Sequence, residues 1–115
     1  MFGIANQSQE RIPNIQWEKI KKSILGEKYE LSLVFANNSL MKKLNRQYRK
    51  KNKLANTLSF VFDKSTGEIF LNHNRYKLKN ELLTLFIHSL LHLKGFSHNE
   101  EMREQEAGYL KKFKA

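Results

Sequence analysis

The chain contains no cysteine. That excludes a disulfide framework and any thiolate metal site, and it suits a reducing cytoplasm, the expected location. No apolar run approaches the roughly 18 to 20 residues that a bilayer-spanning helix needs, so no membrane partner is expected. The opening residues, MFGIANQSQERIP, have neither a basic start nor a long apolar stretch, and no secretory leader is expected. Acidic residues are also scarce: 11 Asp plus Glu stand against 21 Lys plus Arg, a formal net charge of +10. A small domain this basic attracts polyanions, of which nucleic acid is the commonest in a cytoplasm. A solvated basic surface, or a ribosome-associated protein without chemistry, also fits the charge.

What is present supports a single domain over residues 1–115: 40% of residues are hydrophobic and 28% charged, with no internal repeat and no linker. Apolar residues at Ile15, Trp17, Ile20, Ile24 and Leu25 predict a short helix stopped by Gly26. Tyr29 to Phe35 reads as a strand. Leu40 to Arg49 reads as a helix, with Asn37, Asn38 or Ser39 as its cap. Thr57 to Phe62 and Glu68 to Leu71 flank the turn-forming segment 63–67, which predicts an antiparallel hairpin. The segment from Lys79 to Leu93 is apolar almost all round, so it should run through the core until Gly95 ends it. A last helix should start in the acidic segment 99–106 and end in the basic segment 111–114, an order that suits the helix dipole. The expected fold is α+β, a small mixed β-sheet packed against helices, with a central buried helix.

That helix carries the chemistry. Three of the four histidines fall in His88-Ser-Leu-Leu-His92-Leu-Lys-Gly95-Phe-Ser-His98. His88 and His92, four residues apart, project from one helix face, and a turn at Gly95 can bring His98 back to them. Three neutral imidazoles and a vacant fourth position form the usual catalytic zinc pattern, whereas closed structural sites normally use four protein ligands. One Zn2+ per chain is therefore expected on His88, His92 and His98. His73 lies in a polar stretch and is read as a surface residue. The spacing is also that of metzincin proteases, H-E-x-x-H-x-x-G-x-x-H, but Ser89 occupies the position of their general base. Serine cannot take up a proton near neutral pH, which turns the reading away from proteolysis.

The segment from His88 to His98 resembles the hallmark H-G-x-L-H-L-x-G-Y-D-H of the YbeY family of bacterial single-strand-specific endoribonucleases, also called rRNA maturation factors. Ser89, Phe96 and Ser97 replace its Gly, Tyr and Asp. A second family segment, roughly L-N-x-x-Y-R and then T-(D/N)-V-L-S-F, is similar to Leu44-Asn-Arg-Gln-Tyr-Arg49 and to Ala55-Asn56-Thr57-Leu58-Ser59-Phe60. Gly67-Glu-Ile-Phe resembles the family's G-D-I-V strand, while Leu54 stands where a Pro is usual. The stretch between that strand and the histidine helix is short, so a helix common in the family is expected to be trimmed or absent.

The resemblance implies a zinc-dependent hydrolase of single-stranded RNA. Its implied role is small-subunit ribosomal RNA 3′-end maturation and ribosome quality control, with ribosome or small-subunit proteins as partners. It also implies that Arg49 stabilises charge on the transition-state phosphate; without it, Arg49 reads as a solvated cation at a helix end. Asn56, Ser59 and Lys94 are candidate substrate contacts, whose bland readings are a turn residue, a strand hydroxyl and a solvated lysine. Lys50, Lys51 and Lys53 have the same two readings as Lys94. Tyr48 and Phe96 are read as core aromatics, with base stacking as the alternative. Two other functions remain open: another zinc hydrolase, such as a metzincin-like protease using Glu100 or Glu101 as base, and a non-catalytic ribosome-binding module. Oligomeric state has no signature in the sequence.

Overall fold

The computed structural model describes residues 1–50, 55–97 and 99–114. Lys51, Lys53, Leu54 and His98 lie outside the described residues. Among those described, the order of elements is β1 (Phe2–Asn6), α1 (Trp17–Leu25), β2 (Glu30–Ala36), α2 (Asn38–Arg49), β3 (Thr57–Asp63), β4 (Thr66–Asn72), α3 (Lys79–Lys94) and α4 (Glu100–Phe113). The sheet order is β1-β2-β4-β3, with β1, β2 and β4 parallel and β3 antiparallel to β4. The fold is α+β with a mixed sheet, as expected.

The alternation of side chains in the sheet sorts the helices. Leu31, Leu33 and Phe35 of β2 and Ile69 and Leu71 of β4 meet Ile20 and Ile24 of α1 and Leu82, Phe86, Ile87 and Leu90 of α3 in the main core. Trp17 packs edge-on against both Phe35 and Phe86, with ring centroids 5.2 and 5.1 Å away. A smaller cluster forms where Met41 of α2 meets Ala36, Ala55 and Leu58, flanked by Phe60 and Phe70. The helix with the histidines and the helix ending in Arg49 thus belong to different packing clusters. Edge strand β3 contacts both helices.

Local chemistry sets the ends. The Asn37 side chain accepts the Leu40 N–H at 2.8 Å, capping α2. Gly95 ends α3 at φ +113°, a left-handed conformation that strains any side chain. The Phe96 N–H reaches back to the Leu91 carbonyl at 3.0 Å, closing a Schellman turn. Between β4 and α3 the described residues 73–78 form turns and no helix, in line with the expected trimming.

Two expectations need correction, and one strand has no counterpart among them. β1 was not foreseen; its FGIAN sequence is mostly exposed, and the strand exists through pairing in register with β2. His73 is buried rather than superficial, with Nδ1 3.0 Å from the Tyr76 carbonyl oxygen and Nε2 2.9 Å from that of Arg11. Its polar turn folds against a segment 62 residues away in sequence, which no local pattern announces. Tyr48 is 59% exposed instead of lying in the core. No helix of the described residues is long and apolar enough to cross a membrane.

Candidate active site

A cleft of about 600 Å³ opens beside β3. Tyr48 and Arg49, at the end of α2, line it together with Thr57, Ser59, Phe60 and Val61 of β3 and His88, His92 and Leu93 of α3. Leu58 lines it too, so residues of both faces of β3 reach the cleft; Ser59 and Val61 pair with Ile69 and Gly67 on the face towards α3. At Gly67 a Cβ would collide with the Tyr29 hydroxyl and come 3.0 Å from the Phe60 carbonyl oxygen and 3.2 Å from Leu93 Cδ2. A glycine there lets cleft-lining Leu93 and buried Tyr29 close over the sheet. Burial, followed by the Asp63 charge, raises the Tyr29 hydroxyl above the ordinary tyrosine range, so it stays neutral.

The rings of His88 and His92 are each held by an acceptor at Nδ1. The Nδ1 atom of His92 lies 3.1 Å from the Phe96 carbonyl oxygen, which can only accept, so it carries the ring proton. The Gly95 turn delivers that carbonyl. On His88, Nδ1 faces Oε1 of Glu106, a half-buried carboxylate on α4, and donates to it. An acceptor at each Nδ1 turns Nε2 of each ring towards the other, and the two Nε2 atoms lie 3.0 Å apart. At that separation the two nitrogens can share one proton or, once both Nε2 atoms are unprotonated, serve together as ligands of a cation. Imidazole nitrogens gathered in this way suit zinc, and His88 and His92 would be two of its ligands. Among the described residues no group of three or more His, Cys, Asp or Glu is gathered as a metal site. The proposed third ligand, His98, lies outside them.

Ser89 is absent from the cleft lining. It is completely buried; its hydroxyl donates to the Leu85 carbonyl at 2.8 Å and accepts from Thr57 Oγ1 at 2.7 Å. Its single proton is committed inside the helix, so the Thr57 hydroxyl is the donor of the second bond. The position that holds a base in a peptidase here braces β3 against α3.

The candidate residues separate accordingly. Arg49, Ser59, His88 and His92 share the cleft, whereas Asn56 and Lys94 are exposed and absent from its lining. The Asn56 backbone carbonyl accepts the Asn72 N–H at 3.0 Å, consistent with a turn residue. Lys50 is exposed and caps α2 in a left-handed conformation. Phe96 is half-buried and packs against the main core. Tyr48 stands at the cleft mouth with its ring edge-on to Phe60 at 5.2 Å. Sequence reading missed Glu106, one of many charges in a charged helix, and the Thr57–Ser89 bond. Three-dimensional contact alone distinguishes them.

The sequence model of the family described as Endoribonuclease YbeY matches residues 3–114. A protein of Ehrlichia ruminantium named Endoribonuclease YbeY is 35% identical over 99 residues, covering 74% of this chain and 63% of its own length. One of the same name from Ehrlichia chaffeensis is 32% identical over 118 residues, covering 90% and 77%. The first of these alignments thus spans less than two thirds of the relative's length. A Thermotoga maritima protein solved in solution has the same fold, with a TM-score of 0.65 at 22% identity over 98% of this chain and 89% of its own. By the match along nearly its whole length, this chain belongs to the Endoribonuclease YbeY family.

Proposed function

We propose that this chain is a zinc-dependent endoribonuclease that hydrolyses phosphodiester bonds in single-stranded ribosomal RNA in the cytoplasm. The observation that carries the reading is a single cleft lined by Arg49 and by two histidines whose Nε2 atoms converge. The relatives' name, Endoribonuclease YbeY, supports the reaction class, and the net charge of +10 supports a polyanionic substrate. Small-subunit 3′-end maturation, ribosome quality control and ribosomal partner proteins belong to the same proposal.

His88, His92 and His98 would hold the metal. When bound, it would polarise a phosphoryl oxygen or lower the pKa of water. The chain's own residues do the rest. The Arg49 guanidinium, exposed at the cleft wall, places fixed N–H donors against non-bridging phosphate oxygens and offsets the charge that grows on them. The exposed ring of Tyr48 offers a stacking face to an unpaired base, a contact that duplex RNA cannot use. Lys50 adds positive charge beside Arg49 on the approach.

One feature favours peptide as an alternative substrate. The outer edge of β3 pairs with no other strand among the described residues, and such an edge can add an extended chain by backbone pairing. The buried, hydrogen-bonded Ser89 counts against it, because it stands at the position where such peptidases keep their base.

Purified protein should contain close to one zinc per chain and cut unstructured RNA. Cleavage should stop with a chelator, return with zinc, and be lost with the zinc in His92→Ala. Cleavage of casein with RNA left intact would transfer the reading to a peptidase. Ribosome binding with neither substrate cut would leave a binding module. Full cleavage by metal-free protein would remove zinc from the reaction.

A further inference from the structure

We infer that Glu106 is the positioning residue for His88: its carboxylate fixes the tautomer and ring orientation that direct Nε2 to the metal. The inference rests on the proposed zinc site and extends it to a residue that lies outside the histidine motif.

The geometry begins with the cap of α4. The Asn99 side chain accepts the Met102 N–H at 2.9 Å, which starts the helix, and Met102 is buried against the main core. Residues four apart share a helix face, so Glu106 is carried on the same side as Met102, towards α3. Of the four acidic residues on α4, Glu100, Glu101 and Glu104 are exposed and Glu106 is half-buried. Its Oε1 meets His88 Nδ1, and the pair is only partly open to solvent, with side chains 26% and 20% exposed.

Chemistry gives the contact its role. An imidazole that binds a metal through one nitrogen gains basicity and a fixed orientation when the other nitrogen donates to a carboxylate. The two rings use different acceptors, a backbone carbonyl on His92 and a carboxylate on His88. The carbonyl comes with the Gly95 turn and survives substitution of side chains, whereas the carboxylate depends on one residue. Ser97, which stands where the family hallmark has Asp, is exposed and brings no carboxylate. In this chain α4 supplies one from 18 residues beyond His88.

The test is zinc affinity of the full chain, measured near neutral pH by competition with a chromophoric chelator, for wild type, Glu106→Ala and Glu106→Gln. The expected result is a 10- to 100-fold weaker affinity in Glu106→Ala. Glu106→Gln keeps an acceptor oxygen without the charge, so its loss should be smaller. Cobalt-loaded protein should show a visible spectrum altered in Glu106→Ala and closer to wild type in Glu106→Gln. Zinc should raise the melting temperature of Glu106→Ala less than that of wild type, whereas a carboxylate that merely fastened α4 to α3 would lower the melting temperature equally with and without metal. Wild-type affinity in Glu106→Ala overturns the inference and leaves the zinc site standing. A wild-type chain that takes up no zinc overturns both.

Discussion

The buried Thr57–Ser89 bond lets stability and chemistry be separated at the position where a peptidase would keep its base. Ser89→Ala removes the bond to Leu85, whose carbonyl already has its helical partner, and deprives the Thr57 hydroxyl of its acceptor. The net loss of one hydrogen bond costs about 1 kcal/mol, and a stranded buried donor about 1 to 3 kcal/mol more. Thr57 is only half-buried, so its hydroxyl can turn towards water in the cleft, and the lower end of that range applies. Alanine's better helix propensity returns about 0.5 kcal/mol. The expected net destabilisation is about 1 to 2 kcal/mol, or roughly 4 to 8 °C in melting temperature for a domain of this size.

Urea unfolding of wild type, Ser89→Ala, Thr57→Val and the double variant forms a cycle in which the coupling should exceed about 0.5 kcal/mol. RNA cleavage below the melting range should fall no more than a few-fold, because the brace positions β3 against α3 without touching the reacting atoms. Stability of Ser89→Ala within about 0.5 kcal/mol of wild type, with no coupling to Thr57, would refute the brace. Abolished cleavage by a folded Ser89→Ala would instead place the hydroxyl in the chemistry.

Arg49→Ala should lower RNA cleavage by about 100-fold or more at unchanged melting temperature, with Arg49→Lys intermediate because ammonium lacks the planar fork; equal rates would remove Arg49 from the transition state. Gly67→Ala should destabilise by about 1 to 3 kcal/mol in urea unfolding, since its Cβ drives into Tyr29 and the Phe60 backbone. Lys21 is buried, its ammonium donating to the Glu27 carbonyl at 3.1 Å. Burial first, then neighbouring Lys22, holds it below its ordinary value of 10.5. The unfolded chain therefore binds this proton more tightly, so the residue's contribution to stability rises as pH climbs from the depressed value towards 10.5. Wild type minus Lys21→Met should show that slope in unfolding free energy; a flat difference would contradict it.

Much of this protein follows from its sequence because the signals are local. The nearly all-round apolar segment ending at Gly95 had to be a buried helix, and four-residue spacing put His88 and His92 on one face of it. The cap at Asn37 and the β3–β4 hairpin are likewise settled by neighbouring residues. Tertiary structure decided whatever depends on residues distant in the chain. β1 has little burial pattern of its own and is a strand through hydrogen bonds to β2. His73 became an interior residue because Arg11 came to it. Arg49 and the histidines share a cleft because α2 and α3 both contact β3, a placement that no spacing encodes. Glu106 met His88 because Met102 anchors α4 against the core, and Ser89 found Thr57 across the gap between helix and sheet. Spacing along a helix constrains which side chains point the same way, but packing decides which groups from other elements meet them.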